Sequence, residues 1–372
     1  MKDNKKSVLL VSVNTFYGGG DSHVVSLTHL LSGYCKLYAL VFDPTLARNL
    51  RDQGVEVYQL SLFPDSARAL QVLHALFALP FIVLRIRVAV VQVTGTLETL
   101  LLPVSRVLGC RTVSMRHLTP FLGSGSWPSR LRRLIIEITY ATGTLFADEV
   151  VCVSETIAVA LRKTIPNRKL RVIRNWVTSV PPKNTLRRNE STLRVLFVSR
   201  LEFHKGLHLL LAALTKMTNY ELTVVGDGSQ IEELKSLATG MNVHFEGFQQ
   251  DVSRYYKKAD VFVMPSLGPE GLPLVTIEAM SHGLPCLLSD LPVHREVSRQ
   301  EQVAALFKTG DSDSLRGKLE HLVQNEGERK RYGELAYNEI LQSYTEDAAR
   351  GAFLDAFGIG KADITARMLS ST

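Results

Sequence analysis

Between Val261 and Glu296 two carboxylates, Glu270 and Glu278, bracket seven residues that read as a loop passing into a helix. A strand ends at Met264, the loop carries Gly268, Pro269, Glu270 and Gly271, and the helix opens near Pro273, in a first turn where a missing N–H costs nothing. The free N–H groups of such a helix start, with Gly271 letting the backbone come close, suit an anion such as a diphosphate. With Glu270 in the loop and Glu278 on the helix, both carboxylates can accept hydrogen bonds from vicinal sugar hydroxyls. The competing structural reading makes Glu270 a first-turn charge complementing the helix dipole and Glu278 a solvated face residue.

A second constellation, Arg200 with Lys205 and Gly206, stands at the mouth of a strand ending at Val198. Two cations there can bind a pyrophosphate and stabilise charge on a departing diphosphate; alternatively, a strand-end arginine is simply solvated or paired. Gly226-Asp227-Gly228 resembles half a dinucleotide fingerprint, but Ile231 stands where the third glycine belongs, which argues against a nicotinamide cofactor. Earlier in the chain, Tyr17-Gly18-Gly19-Gly20-Asp21 follows the first strand, and its glycines read either as a phosphate or acceptor loop or as a tight turn. His117 ends an internal strand, as a site residue or a structural one. Asp311-Ser312-Asp313 matches a metal-binding DxD pattern, yet its place before a helical pattern at Leu315 reads as a helix cap.

The elements that must position these residues are short β-branched runs alternating with helical patterns. Val8–Val13, Leu37–Phe42, Val55–Leu60, Val88–Thr94, Thr112–Met115, Val150–Val153 and Leu170–Ile173 read as strands of a parallel sheet covered on both faces. The polar, Pro-containing stretch 178–192 reads as a linker. The pattern then restarts with strands at Arg194–Val198, Glu221–Val225, Val243–Phe245, Val261–Met264 and Pro285–Leu288. The expected fold is α/β, with two Rossmann-like doubly wound domains facing a central cleft and ligands beyond the carboxyl ends of the strands. Expected bounds are 1–177, a linker at 178–192, 193–344, and a C-terminal helix and tail at 345–372.

Composition narrows the partners. Residues 1–180 hold 21 Lys and Arg against 11 Asp and Glu, a net +10, while the remainder is net −3. The basic half predicts an anionic partner. No recognised nucleic-acid motif or aromatic-interleaved basic patch accompanies it, so nucleic acid is not expected. Arg130, Arg132 and Arg133 among Leu131, Leu134, Ile135 and Ile136 form a segment suited to an anionic membrane surface or, equally, to covering the sheet as an ordinary amphipathic helix. Four scattered cysteines without CxxC spacing imply a reducing compartment and no structural zinc. The apolar run Ser7–Val13 reads as a first strand rather than a signal peptide, and Ala69–Leu84, interrupted by Pro80, is short of a membrane span.

Taken together, the glycine loop at Gly18–Gly20, His117, Arg174-Asn175, Arg200 with Lys205-Gly206, the Gly226 turn, and Glu270 to Glu278 followed by His282-Gly283-Leu284-Pro285 resemble glycosyltransferase family 4, the retaining GT-B enzymes. The resemblance runs in order over nearly the whole chain. It implies a transferase moving a sugar from a nucleotide-diphosphate donor with no metal or other cofactor; the basic first half adds the expectation of a saccharide or lipid-linked acceptor in surface-polysaccharide assembly, with the protein cytoplasmic and peripheral on the inner face of the membrane. The resemblance assigns Arg200 and Lys205 to the donor diphosphate, Glu270 with the amides of Gly271 and Leu272 to the transferred sugar, and Glu278 to the ribose. His117 is assigned to the sugar, Gly19 and Gly20 to the phosphate and acceptor side, and Gly226 to the donor-side turn. Asp21, where many members carry glutamate, and Leu291–His294, where a glycine-rich stretch is common, depart from the pattern. The rival readings are a catalytically silent nucleotide-sugar binder and a nicotinamide oxidoreductase.

Overall fold

The computed structural model describes residues 5–14, 18–60, 68–118, 138–141, 143–182, 192–268 and 270–360. They fall into two compact units, one formed by residues up to 178 together with those from 346 onward, the other by 179–345. The basic segment at 130–136, Tyr17, Pro269 and most of the 178–192 stretch lie outside the described residues.

In the first unit β1 (Ser7–Ser12), β2 (Lys36–Val41), β3 (Glu56–Gln59), β4 (Val90–Thr94), β5 (Arg111–Arg116), β6 (Glu149–Cys152) and β7 (Leu170–Val172) form a parallel sheet in the order β3-β2-β1-β4-β5-β6-β7. β1 and β4 are buried at every position, which is why their sequences run apolar without alternation. Helices α1 (Gly19–Leu31), α2 (Pro44–Asp52), α3 (Arg68–Ile86) and α4 (Leu101–Val107) cover the sheet. α2 opens where Asp43 Oδ1 accepts from the Leu46 amide at 2.7 Å with Pro44 in the first turn, a sequence-encoded start. α3 runs unbroken through Pro80. The helix Glu346–Ala356 belongs to this unit: Phe353 packs 5.4 Å from Trp176, and Arg171 Nη1 meets Asp355 at 2.6 Å.

In the second unit β8 (Leu193–Val198), β9 (Tyr220–Val225), β10 (Val243–Phe245), β11 (Val261–Met264), β12 (Cys286–Ser289) and β13 (Ala305–Phe307) are parallel in the order β10-β9-β8-β11-β12-β13. Its core gathers Val195, Phe197, Leu222, Val224, Val263 and Leu287 with the inner faces of the covering helices. Both units are thus doubly wound α/β sheets. The strand order reverses between β1 and β4 in one and between β8 and β11 in the other, and the crevice at the carboxyl ends there is where such sheets take ligands.

Candidate active site

In the second unit the loops leaving β8 and β11 are tied together. Leu267 N donates to His204 O at 2.8 Å. Gly206 sits at φ 74°, where a Cβ would meet Pro265 O at 2.0 Å, so only glycine lets the two loops close. That closure brings Lys205 Nζ within 2.6 Å of Glu270 Oε1, and Ser266 Oγ donates to the same oxygen at 2.7 Å. Both charged side chains are largely enclosed, at 13% and 8% exposure, so the pair is a buried one. Burial pushes the Glu270 carboxyl up, but the Lys205 ammonium and the two hydrogen bonds outweigh it and hold the group below the usual carboxylate range. Behind the pair, Ser289 Oγ donates to Ser266 O at 2.7 Å, and the ring of buried His294 lies 2.7 Å from Ser289 O through Nδ1.

Arg200 stands exposed at the same mouth, and its charge acts on His204 together with those of Lys205 and Glu270. The Gly226–Gly228 turn packs against this loop: Leu201 N donates to Asp227 O at 2.8 Å, and a Cβ on Gly226, at φ 137°, would meet Ser199 O at 1.8 Å. Glycine is demanded there by backbone contact with the arginine loop, a role separate from approach to a phosphate.

The helix following β11 spans Leu274–Ser281, with Pro273 as its N-cap. The sequence reading put Pro273 in the first turn; the extended ψ of 118° keeps it just outside. Gly271 and Leu272 are buried immediately before it. Glu278 is partly buried, and burial raises its pKa despite the 3.1 Å hydrogen bond from Tyr256 Oη. Neither carboxylate therefore fits the surface reading: Glu270 is paired in the loop, and Glu278 is lodged against Tyr256.

In the first unit Gly19 and Gly20 open α1, and Asp21 in its first turn accepts from Gly18 N at 3.1 Å, Ser12 Oγ at 2.9 Å and Asn14 Nδ2 at 3.0 Å. Burial raises the Asp21 pKa against these bonds. A Cβ on Gly20 would stand 3.8 Å from Thr94 Cγ2 and 4.0 Å from His117 Cδ2, so the ends of β1, β4 and β5 converge on this glycine. His117 lies 4.7 Å from the ring of His23, which itself meets Trp176. Burial lowers the His117 pKa to about 4 and that of His23 well below the usual imidazole value. Next along β5, buried Arg116 donates to Gly95 O at 3.1 Å and stacks 4.3 Å over Tyr140, with Glu98 as a nearby opposite charge.

The sequence reading missed Ser266, His294, His23, Arg116 and Glu98. Arg116 carried a signal, a charge ending an otherwise apolar strand beside His117; the others depend on long-range packing. Asp311 caps the helix Ser312–Gln324, its Oδ1 accepting from Ser314 N at 2.9 Å. All four cysteines are buried and free of disulfides. Among the described residues no helix is long and apolar enough to cross a membrane.

Two family models match the chain in succession, glycosyltransferase family 4 over residues 17–179 and glycosyl transferases group 1 over residues 183–339. The chain belongs to glycosyltransferase family 4. Its relatives in that family include the phosphatidyl-myo-inositol mannosyltransferase of Mycobacterium leprae, 36% identical over 37% of this chain and 39% of that protein. The lipopolysaccharide core biosynthesis glycosyltransferase LpsE of Rhizobium meliloti is 25% identical over 62% of this chain and 67% of its own length. In the first of these the matched stretch thus spans well under half of the relative. The fold is that of Anabaena HepE solved with UDP and glucose, at a TM-score of 0.79 and 16% identity, covering 95% of this chain and 100% of that one. Like HepE, the family 4 chain described here has the two-sheet GT-B architecture.

Proposed function

We propose that this protein is a retaining glycosyltransferase that takes a sugar from a nucleotide-diphosphate donor and adds it to a saccharide or lipid-linked saccharide in surface-polysaccharide assembly, at the cytoplasmic face of a membrane. The observation that carries the reading is the Lys205–Glu270–Ser266 cluster at the mouth of β8 and β11, with Arg200 beside it. Family membership, and relatives named for lipopolysaccharide core and phosphatidyl-inositol transfer, support the substrate class.

On this reading Arg200 and Lys205 bind the donor diphosphate, and Glu270, fixed as a carboxylate, accepts hydrogen bonds from the transferred sugar beside the amides of Gly271 and Leu272. Glu278 takes the ribose hydroxyls. His117, Gly19 and Gly20 serve the sugar and acceptor side, and Gly226 shapes the donor-side turn. The bond from the anomeric carbon to the diphosphate oxygen breaks with its electron pair leaving on that oxygen. The acceptor hydroxyl bonds to the same face of the carbon, and its proton passes to the departing phosphate. The two cations stabilise that growing charge from a preorganised position, so no divalent metal is required. Glu270 orients rather than acting as a hydrolase-type acid or base.

A thermal-shift screen across nucleotide sugars identifies the donor, and release of nucleoside diphosphate on adding acceptor measures turnover, with and without chelator. Lys205→Ala and Glu270→Ala should each lower turnover at least tenfold, about 1.4 kcal/mol of barrier. Donor binding without acceptor-dependent release would make the protein a silent binder instead.

A further inference from the structure

We infer that the outer face of α3 is a membrane-docking surface, taking an anionic lipid bilayer. Leu70, Leu73, Phe77, Phe81 and Leu84 are 50%, 48%, 68%, 79% and 67% exposed. At 3.6 residues per turn they fall within an arc of about 80°, a single stripe about 21 Å long at 1.5 Å per residue. The opposite face, with Val72, Ala75, Leu79, Ile82 and Val83, is buried in the first unit. The usual arrangement of a surface helix is therefore inverted on its outside: among its described side chains, the exposed ones are these five apolar residues and Arg85 at the end. A contiguous apolar stripe of this kind marks an interaction site rather than scattered surface hydrophobics. Val107, 86% exposed, stands on α4, which packs beside α3.

Charge selects the occupant. Arg68 precedes the stripe, Arg85 and Arg87 follow it, and no Asp or Glu stands between Asp65 and Glu98. A helix lying in the interface with leucines and phenylalanines at the acyl boundary and the exposed Arg85 and Arg87 at its C-terminal end meets lipid phosphates there. A second copy of the chain fits poorly. Parallel packing of the stripe on itself sets Arg85 and Arg87 of one copy against those of the other, with no carboxylate in the segment to offset them. The stripe is too short and too firmly seated in the first unit to span the bilayer, and no described helix qualifies as a span. The inference rests on the membrane contact proposed above for its choice of a bilayer, and it places that contact on α3.

The test is co-sedimentation of the full chain with vesicles of equal parts phosphatidylglycerol and phosphatidylcholine, and with phosphatidylcholine alone. Wild type should partition onto the anionic vesicles, and Phe77→Ser/Phe81→Ser should reduce that partition at least tenfold while leaving the circular dichroism spectrum and the donor thermal shift unchanged. Arg85→Gln/Arg87→Gln, which leaves the apolar stripe intact, should lower binding several-fold on anionic vesicles only. If wild type ignores both vesicle types, membrane contact itself is refuted. If wild type binds and the Phe77/Phe81 variant binds equally, α3 is the wrong surface although the membrane reading survives. A concentration-dependent dimer in sedimentation equilibrium that the same variant dissociates would overturn the proposal in favour of a second copy.

Discussion

The two reversal points of strand order hold their carboxylates in different ways. At the mouth of β8 and β11 a carboxylate is kept ionised by a lysine 2.6 Å away, and a second cation stands nearby. At the ends of β1 and β5 the carboxylate of Asp21 is held by neutral donors and its pKa is raised, while burial keeps the imidazoles of His23 and His117 uncharged. One unit thus pairs its carboxylate with a buried lysine, and the other holds its carboxylate among neutral donors beside uncharged imidazoles. His117 in the first unit can only donate or accept a hydrogen bond as a neutral ring near pH 7. The second unit tolerates the buried charges of Lys205 and Glu270 because each is the other's partner.

The largest expected effect tests the loop closure on which the Lys205–Glu270 pair depends. Gly206→Ala puts a methyl 2.0 Å from Pro265 O in a backbone at φ 74°, combining left-handed strain with a clash. A loss of about 4 kcal/mol or more is expected, read as a lowered melting temperature and weakened donor binding. A variant as stable as wild type would mean that the two loops are not locked together.

Next comes a paired substitution that sets the two carboxylates against each other. Glu270→Gln leaves the enclosed Lys205 ammonium without its counter-charge and should cost about 3 kcal/mol of stability. Asp21→Asn loses one hydrogen bond among neutral donors and should cost about 1 kcal/mol. Chemical denaturation of both variants measures the difference. Equal costs would erase the electrostatic contrast between the units.

The buried imidazoles of the first unit also set a pH dependence. His117 has a folded pKa of about 4 against an ordinary 6.5, so between those values the unfolded chain binds the extra proton. Its contribution is complete above about pH 6.5 and is lost as pH falls toward 4, by about 2 kcal/mol once the partial exposure of the residue is allowed for. His117→Gln should flatten that part of the stability-against-pH curve without abolishing it, since His23 acts in the same direction. An unchanged slope would mean that the ring is protonated in the fold.

Much of this was readable from residue order because it is local. Buried parallel strands run apolar, so β1, β4, β8 and β11 stand out, and the loops that follow them carry Arg200, Lys205 and Glu270 in plain view. β13 escaped notice because three residues, Ala305–Phe307, give no periodicity. The contact between Lys205 and Glu270 crosses 65 residues of sequence, and the support from Ser266 and His294 follows only once β11 and β12 are side by side. The run Ala69–Leu84 announces a helix, but nothing in its order says that Phe77 and Phe81 face outward while Leu79 and Ile82 face in. Pairings and exposures of this kind depend on tertiary neighbours, which is why a local pattern reports the element and not its partners.

The smallest effect sharpens the comparison through a second glycine. Gly20 lies in the first turn of α1 without a positive φ, and a Cβ there would sit 3.8 to 4.0 Å from Thr94, Asn14 and His117, at ordinary contact distance. Gly20→Ala should therefore stabilise the protein by about 0.5 to 1 kcal/mol, the helical preference of alanine over glycine, where Gly206→Ala destabilises it. If Gly20 is glycine so that a substrate can approach the backbone, turnover must fall several-fold in this more stable variant, with the loss appearing in the KM for acceptor. Higher stability with unchanged kinetics would leave Gly20 as a turn residue only. Lower stability would mean that the ends of β1, β4 and β5 pack more tightly around it than these distances allow.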